Sequence, residues 1–248
     1  MTHRASLFAF NPERHRDVRL VPGLDLAAPF LTHHAEIGLD EVADAAVDYP
    51  LLFMKDRDTG RLRLVALFGL APGQNCYVVD DMWQAIYLPL KIAVMPFSLT
   101  GPERILCIDE AHPRVTTDEG DALFSDDLSE TETMANVRVL LDRFKQGCEA
   151  ADRFIEVLLD LKLVQPITIT AHFVAGDAAE DVQGLYTVDP RILDRLEPAA
   201  LLNLHGEGWL TPLYAIAQSL NQLNRIKQLH NVGSERQVAN LRIAMGGY

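Results

Sequence analysis

The sequence predicts an α+β fold, with a mainly antiparallel sheet in the first half packed by helices from the second half. Three observations predict it. In LLFMKDRDTGRLRLVALFGL, residues 51–70, two apolar runs flank Asp58-Thr59-Gly60, a β-hairpin signal. ITITAHF, residues 167–173, alternates in the manner of a half-buried strand. From Ser129 onward, Val137, Leu140, Leu141, Phe144, Cys148, Ala151, Ile155 and Leu158 recur at helical spacing as one apolar stripe. No linker, repeat or low-complexity tract interrupts the chain. The expectation is a single domain over 1–248, β-rich over 1–127 and helix-rich over 128–248.

Taken in order, residues 1–30 carry prolines at 12, 22 and 29 and read as irregular, with one strand near Val18–Val21. GLDEVADAAVDYP is a short helix, because Val42, Ala45, Ala46 and Tyr49 share a face and Pro50 ends it. In the second hairpin arm Leu62, Leu64 and Ala66 alternate with Arg61, Arg63 and Val65, which predicts one buried face. APGQNCYVVDD is a loop entering a short strand. MWQAIYLPLKIAVMPFSL reads as a helix bent at Pro89, carrying Trp83, Tyr87, Leu90 and Ile92, and then a strand. RILCI is a strand and DALF a short apolar hook. Ser129 is the expected cap of the long helix, with Glu132 completing a capping box, and Gly147 marks where that helix could divide. After ITITAHF, AGDAAEDVQG is a polar turn and LYTVD a strand. PRILDRL and EPAALLNLHGEG are short helices started by Pro190 and Pro198. LTPLYAIAQSLNQLNRIKQLHN, residues 210–231, is an amphipathic helix begun by Thr211 and Pro212. Leu213, Ile216, Leu220, Leu223 and Ile226 form its apolar face. Gln218, Asn221, Gln222, Asn224 and Gln228 form an uncharged, amide-rich face suited to a partner or a second copy of the chain.

Composition excludes some functions. The formal charge is −13, with only five lysines and seventeen scattered arginines, so no phosphate-gripping surface and no nucleic-acid partner is expected. The most apolar stretch, AIYLPLKIAVMPF, is short and broken by Lys91, Pro89 and Pro96, so no membrane span is expected. Cys76, Cys107 and Cys148 are isolated thiols in apolar or helical settings. They read as small core residues of a protein in a reducing compartment. With no secretory signal in the first residues, the expected location is the cytoplasm.

LCIDEAHPRV, residues 106–115, contains Asp109-Glu110-Ala111-His112, the letters of a helicase magnesium strand. A motor also needs GxxxxGK[ST], and none of the five lysines follows a glycine or precedes Ser or Thr. The stretch reads instead as a strand running into an acidic turn, with His112 held before Pro113. His34-x-Glu36 with His112 is the candidate metal set, matching a two-histidine, one-carboxylate site. Solvated loop histidines are the competing reading. Asp80-Asp81, Asp109-Glu110 and Asp126-Asp127 are paired acids that suit turns as well as acid–base chemistry. Trp83, Tyr87, Trp209 and Tyr214 are candidates to line a ligand pocket, against a core-packing alternative. No nucleophile elbow and no cofactor motif is present, so no catalytic residue is assigned and no cofactor expected.

The order of YPLLFM, LVALFGLAPGQNCYV, MWQAIYLPLKIAVMPFSL, LCIDEAHPRV, GDALF, LKLVQPI, GLYTVDPRILDRL and GWLTPLYAIAQSLNQLNRI resembles the SapC family. These are bacterial proteins named for a surface-layer gene cluster and distinct from the like-named peptide-transporter permease. The likeness runs over about residues 16–232, and its most specific parts are Gly-Leu-Tyr-Thr-Val-Asp and Ser-Leu-Asn. The resemblance implies a part in surface-layer biogenesis and supplies no catalytic residues. The residues themselves favour a non-catalytic cytoplasmic module that binds a protein or a small molecule, with a homodimer as one form of partner. A metal-dependent oxygenase or hydrolase, and a surface-layer protein exported without an N-terminal signal, are the alternatives.

Overall fold

The hairpin legible in the sequence anchors the largest sheet. In the computed structural model, which describes residues 6–24, 32–57, 59–101, 103–175 and 179–246, Leu51–Lys55 pairs antiparallel with Leu62–Leu67, Phe53 opposite Leu64. Asp58 lies outside the described residues. The turn is set by Asp56, whose Oδ1 accepts from both the N–H and the hydroxyl of Thr59 at 2.7 Å, and by Gly60 at φ +69°. The chain forms two compact units. One comprises residues 1–30 and 90–146, the other 31–89 and 147–248.

The hairpin belongs to the second unit, in an antiparallel six-stranded sheet. Its order is Val238–Met245, Val164–Phe173, Ala179–Val188, Leu51–Lys55, Leu62–Leu67, His34–Glu36. Three of its strands come from each half of the sequence. Leu51–Phe53 and Leu64–Phe68 are buried at every position, so both faces of these strands are covered, not the single face that the alternation suggested. Arg63 is the polar exception, paired with Asp152 and within 3.9 Å of Glu36. The segment read as a polar turn after residue 174 is mostly strand, because Ala179–Val188 is one element with a bulge opposite Ile167–Ile169. Gly184, at φ +78°, supplies the left-handed residue that the bulge needs.

The long helix runs unbroken over Glu132–Asp160. Its start is set by Thr131, whose hydroxyl accepts from the Met134 N–H at 3.4 Å, while the expected cap Ser129 turns back to Asp127. Gly147 does not divide it. The helix read over 210–231 is two, Leu210–Ser219 and Leu223–Gly233, joined by a 3-10 turn at Leu220–Gln222. The reason is Ser219, which donates to the Ile216 carbonyl at 2.6 Å; such back-bonding loosens a helix. The first helix starts at Leu210, one residue before Thr211. Trp83 is not helical. Met82–Trp83 pairs with Val78–Val79 across Asp80 and Asp81, both at positive φ, as a two-residue hairpin turn requires. The helix in that region is only Leu90–Ala93, which follows Pro89 and is not bent by it.

In the first unit, Ile105–Asp109 pairs with Leu7–Ala9 and with Phe97–Thr100, and Arg19–Leu20 lies between Val115–Thr116 and Asp121–Ala122. Leu20, Phe97, Ile108, Leu123, Phe124 and Met134 build its core, so DALF does insert as an apolar hook.

Candidate binding groove

Four side chains on the long helix, Asp152, Ile155, Glu156 and Leu159, are spaced i, i+3, i+4 and i+7, which places them on one face. They line one wall of a groove of about 620 Å³, completed by Lys55, Gly60, Arg61, Leu62, Val164, Pro166 and Tyr186 of the sheet and its hairpin. That volume falls within the range of small-molecule sites. The lining is mixed, with apolar side chains beside charges that are positive on the sheet wall and negative on the helix wall. Lys55 stands on the strand side, its ammonium 5.6 Å from the centre of the Tyr186 ring, with Arg61 beside it. Asp152 and Glu156 stand on the helix side. Asp152 is engaged by Arg63, so Glu156, exposed, is the carboxylate available to a ligand. None of the charged groove residues was singled out from sequence. The signal existed as the Asp152–Leu159 spacing, a polar–apolar face that shares Ile155 with the main stripe.

The residues that were singled out lie elsewhere. His34 and Glu36 sit on an edge strand of the second unit, and His112 in a turn of the first. His34 Nδ1 lies 3.1 Å from His33 Nε2, and Glu36 is near Arg63. His112 is buried, its Nδ1 accepting from the Arg114 N–H at 3.2 Å. Among the described residues no group of three or more His, Cys, Asp or Glu side chains is placed to hold a metal ion. Burial, the neighbouring His33 and Arg57 hold the His34 imidazole down to about 4, and burial with Arg57 holds His33 low as well.

The acid pairs lie in turns, except Asp109, which ends the Ile105–Asp109 strand. Asp109 Oδ1 accepts from the N–H groups of Ser6 and Ala111, and Glu110 takes a bidentate contact from Arg14 and one at 3.0 Å from buried His15. The Arg14 hydrogen bond holds the Glu110 carboxyl below its usual range. Asp127 is held low by the Ser129 hydroxyl and N–H.

Trp83 belongs to a cluster with Tyr49, Phe68 and Tyr77, its Nε1 donating to Tyr49 Oη at 2.9 Å. Tyr49 donates to the Tyr87 carbonyl, and Tyr87 donates to buried Glu41 at 2.8 Å. Trp209 packs edge-on to Phe154, and Tyr214 is exposed. Of the five amides, Gln218, Asn221, Asn224 and Gln228 are exposed and Gln222 is half-buried.

A family model described as SapC aligns with residues 10–226. The chain belongs to the SapC family. No curated protein and no solved structure matches it.

The two segments most specific to the SapC resemblance both hold the second unit together. In Gly-Leu-Tyr-Thr-Val-Asp, Gly184 forms the bulge, Leu185, Thr187 and Val188 are buried, and Asp189 caps the next 3-10 turn by accepting from the Arg191 N–H at 3.0 Å. In Ser-Leu-Asn, the Ser219 hydroxyl accepts from the Leu51 N–H at 2.8 Å, tying helix to sheet. Cys76, Cys107 and Cys148 are all buried, and burial pushes the Cys76 thiol up to about 12. Among the described residues no helix is long and apolar enough to cross a membrane.

Proposed function

We propose that this SapC protein is a non-catalytic binding module whose ligand is a small zwitterion with apolar side chains, of the kind presented by a short peptide. The observation that carries the reading is the groove: cationic Lys55 and Arg61 with Leu62 and Tyr186 on the sheet wall, and Glu156 with Ile155 and Leu159 on the helix wall. A carboxylate meets the cations, an ammonium meets Glu156, and the side chains cover the floor. The buried thiols, and acid pairs set in turns or at a strand end, support a binding role over a catalytic one. Free thiols also fit a reducing compartment, so the proposal places the protein in the cytoplasm. The family name supports the alternative of a part in surface-layer assembly.

Isothermal titration calorimetry with leucyl-leucine, compared with the same dipeptide acetylated and amidated at its ends, tests the reading. Binding that needs both charged ends, and weakens about tenfold in Lys55→Met and in Glu156→Gln, supports it. Heat that is absent, or indifferent to end-blocking, overturns it.

A further inference from the structure

The two edges of the six-stranded sheet are treated differently. The His34–Glu36 edge is three residues long and carries Glu36, and short, charged edges resist pairing. The other edge, Val238–Met245, is eight residues long with Arg242 as its single charge.

The direction of its backbone groups follows from two contacts. Gly246 donates to the Pro166 carbonyl at 2.9 Å, so the even-numbered residues at this end point their N–H and C=O groups into the sheet. At the other end Val238 points outward, and there the Asn231 side chain meets it, accepting from its N–H at 2.8 Å and donating to its carbonyl at 2.9 Å. Asn231 thus occupies the start of the edge as a strand would. Beyond it, Leu241, Ile243 and Met245 direct their backbone groups away from the sheet.

These same three residues carry the apolar side chains. Their ladder partners are Ala171, Ile169 and Ile167, all buried, so the row extends the apolar face of the sheet to its rim. There Ile243 is 40% and Met245 39% exposed.

We propose that two copies of this chain pair antiparallel along this edge, about a twofold axis at Ile243, joining the two six-stranded sheets into one. The register follows from charge and apolarity together. Centred on Ile243, each Leu241 faces the other copy's Met245 and the two Ile243 side chains face each other. On the opposite face each Arg242 lies across from Ala244 and not from its own counterpart. Every outward backbone group over 241–245 finds a partner, giving about six inter-chain hydrogen bonds. A shift that set Arg242 against Arg242 would oppose like charges and offset the apolar row. Such a pairing is isologous and closes as a dimer. It involves neither the groove residues nor the amide face.

Sedimentation velocity on the full chain tests the proposal. The expected species is a dimer at micromolar concentration. Ile243→Lys puts two ammonium groups across the axis and should weaken dimerisation at least a hundredfold. Ile243→Pro removes an outward N–H while leaving the inward ladder its donors, and should do the same with the circular dichroism spectrum retained. A protein that stays monomeric at about 100 µM, a Kd above which means under about 6 kcal/mol of association, overturns the proposal. So does a dimer that survives both substitutions. A dimer lost only on changing Asn221 and Asn224 to Lys overturns it in favour of the amide face.

Discussion

Gly38 and Gly147 meet backbone to backbone. A Cβ built on Gly147 would lie 2.9 Å from the Gly38 Cα and would also meet the Asp40 carboxylate. Two effects compete in Gly147→Ala. Alanine favours a helix interior by about 1 kcal/mol, whereas overpacking against backbone costs about 1–3 kcal/mol. The contact should win, and chemical denaturation should show a net loss of stability. Gly206→Ala, where an added Cβ meets nothing within 4 Å, should show none. Equal effects would mean that the helix can shift away from Gly38.

Ser219→Ala deletes the acceptor for the buried Leu51 N–H. An unsatisfied buried donor costs about 1–3 kcal/mol, more than the modest helix propensity gained. Urea unfolding should shift by that amount. If Ser219→Ala proved neutral, another acceptor would have to reach Leu51.

The His34 imidazole, held at about 4 against 6.5 in the open, gives a pH dependence of definite sign. The unfolded chain takes up a proton near 6.5 that the folded chain refuses until about 4. The folded state binds fewer protons in that window, so stability is complete above 6.5 and falls as pH drops toward 4. His34→Gln should flatten the fall in Tm across that range. Identical slopes in the two proteins would remove His34 as its source.

Cys76 should resist thiol reagents. With its thiol pushed up to about 12 by burial, little thiolate exists at pH 8. Iodoacetamide labelling followed by peptide mapping should find Cys76 unmodified in the folded protein and modified in urea. Rapid labelling without denaturant would show that the site opens.

Much of the architecture was legible because its signals are local. Val42, Ala45 and Tyr49 announce their helix by spacing, and Thr59-Gly60 announces the hairpin. Other features depend on distant partners. Ser129 and Thr131 are both plausible caps by composition, and only the turn that returns Ser129 to Asp127 decides between them. Trp83 fits a helical face as well as a strand until Asp80 and Asp81 adopt positive φ. The Val238–Met245 strand left little trace, because most of its residues are exposed and no buried set stands out. The groove left only the Asp152–Leu159 spacing as a trace for a related reason: Lys55, Glu156 and Tyr186 are far apart in sequence, and each alone is an ordinary surface or strand residue.

The division of the chain bears on how it is made. Each unit is assembled from two separated stretches, 1–30 with 90–146 and 31–89 with 147–248. During vectorial synthesis the first unit lacks its second stretch until residue 146 has been made, and the second still waits for its final strand, which ends at Met245. Neither can complete its core while the ribosome is early on the message. By the same connectivity, no single proteolytic cut releases either unit intact, and a truncation near residue 127 would divide both.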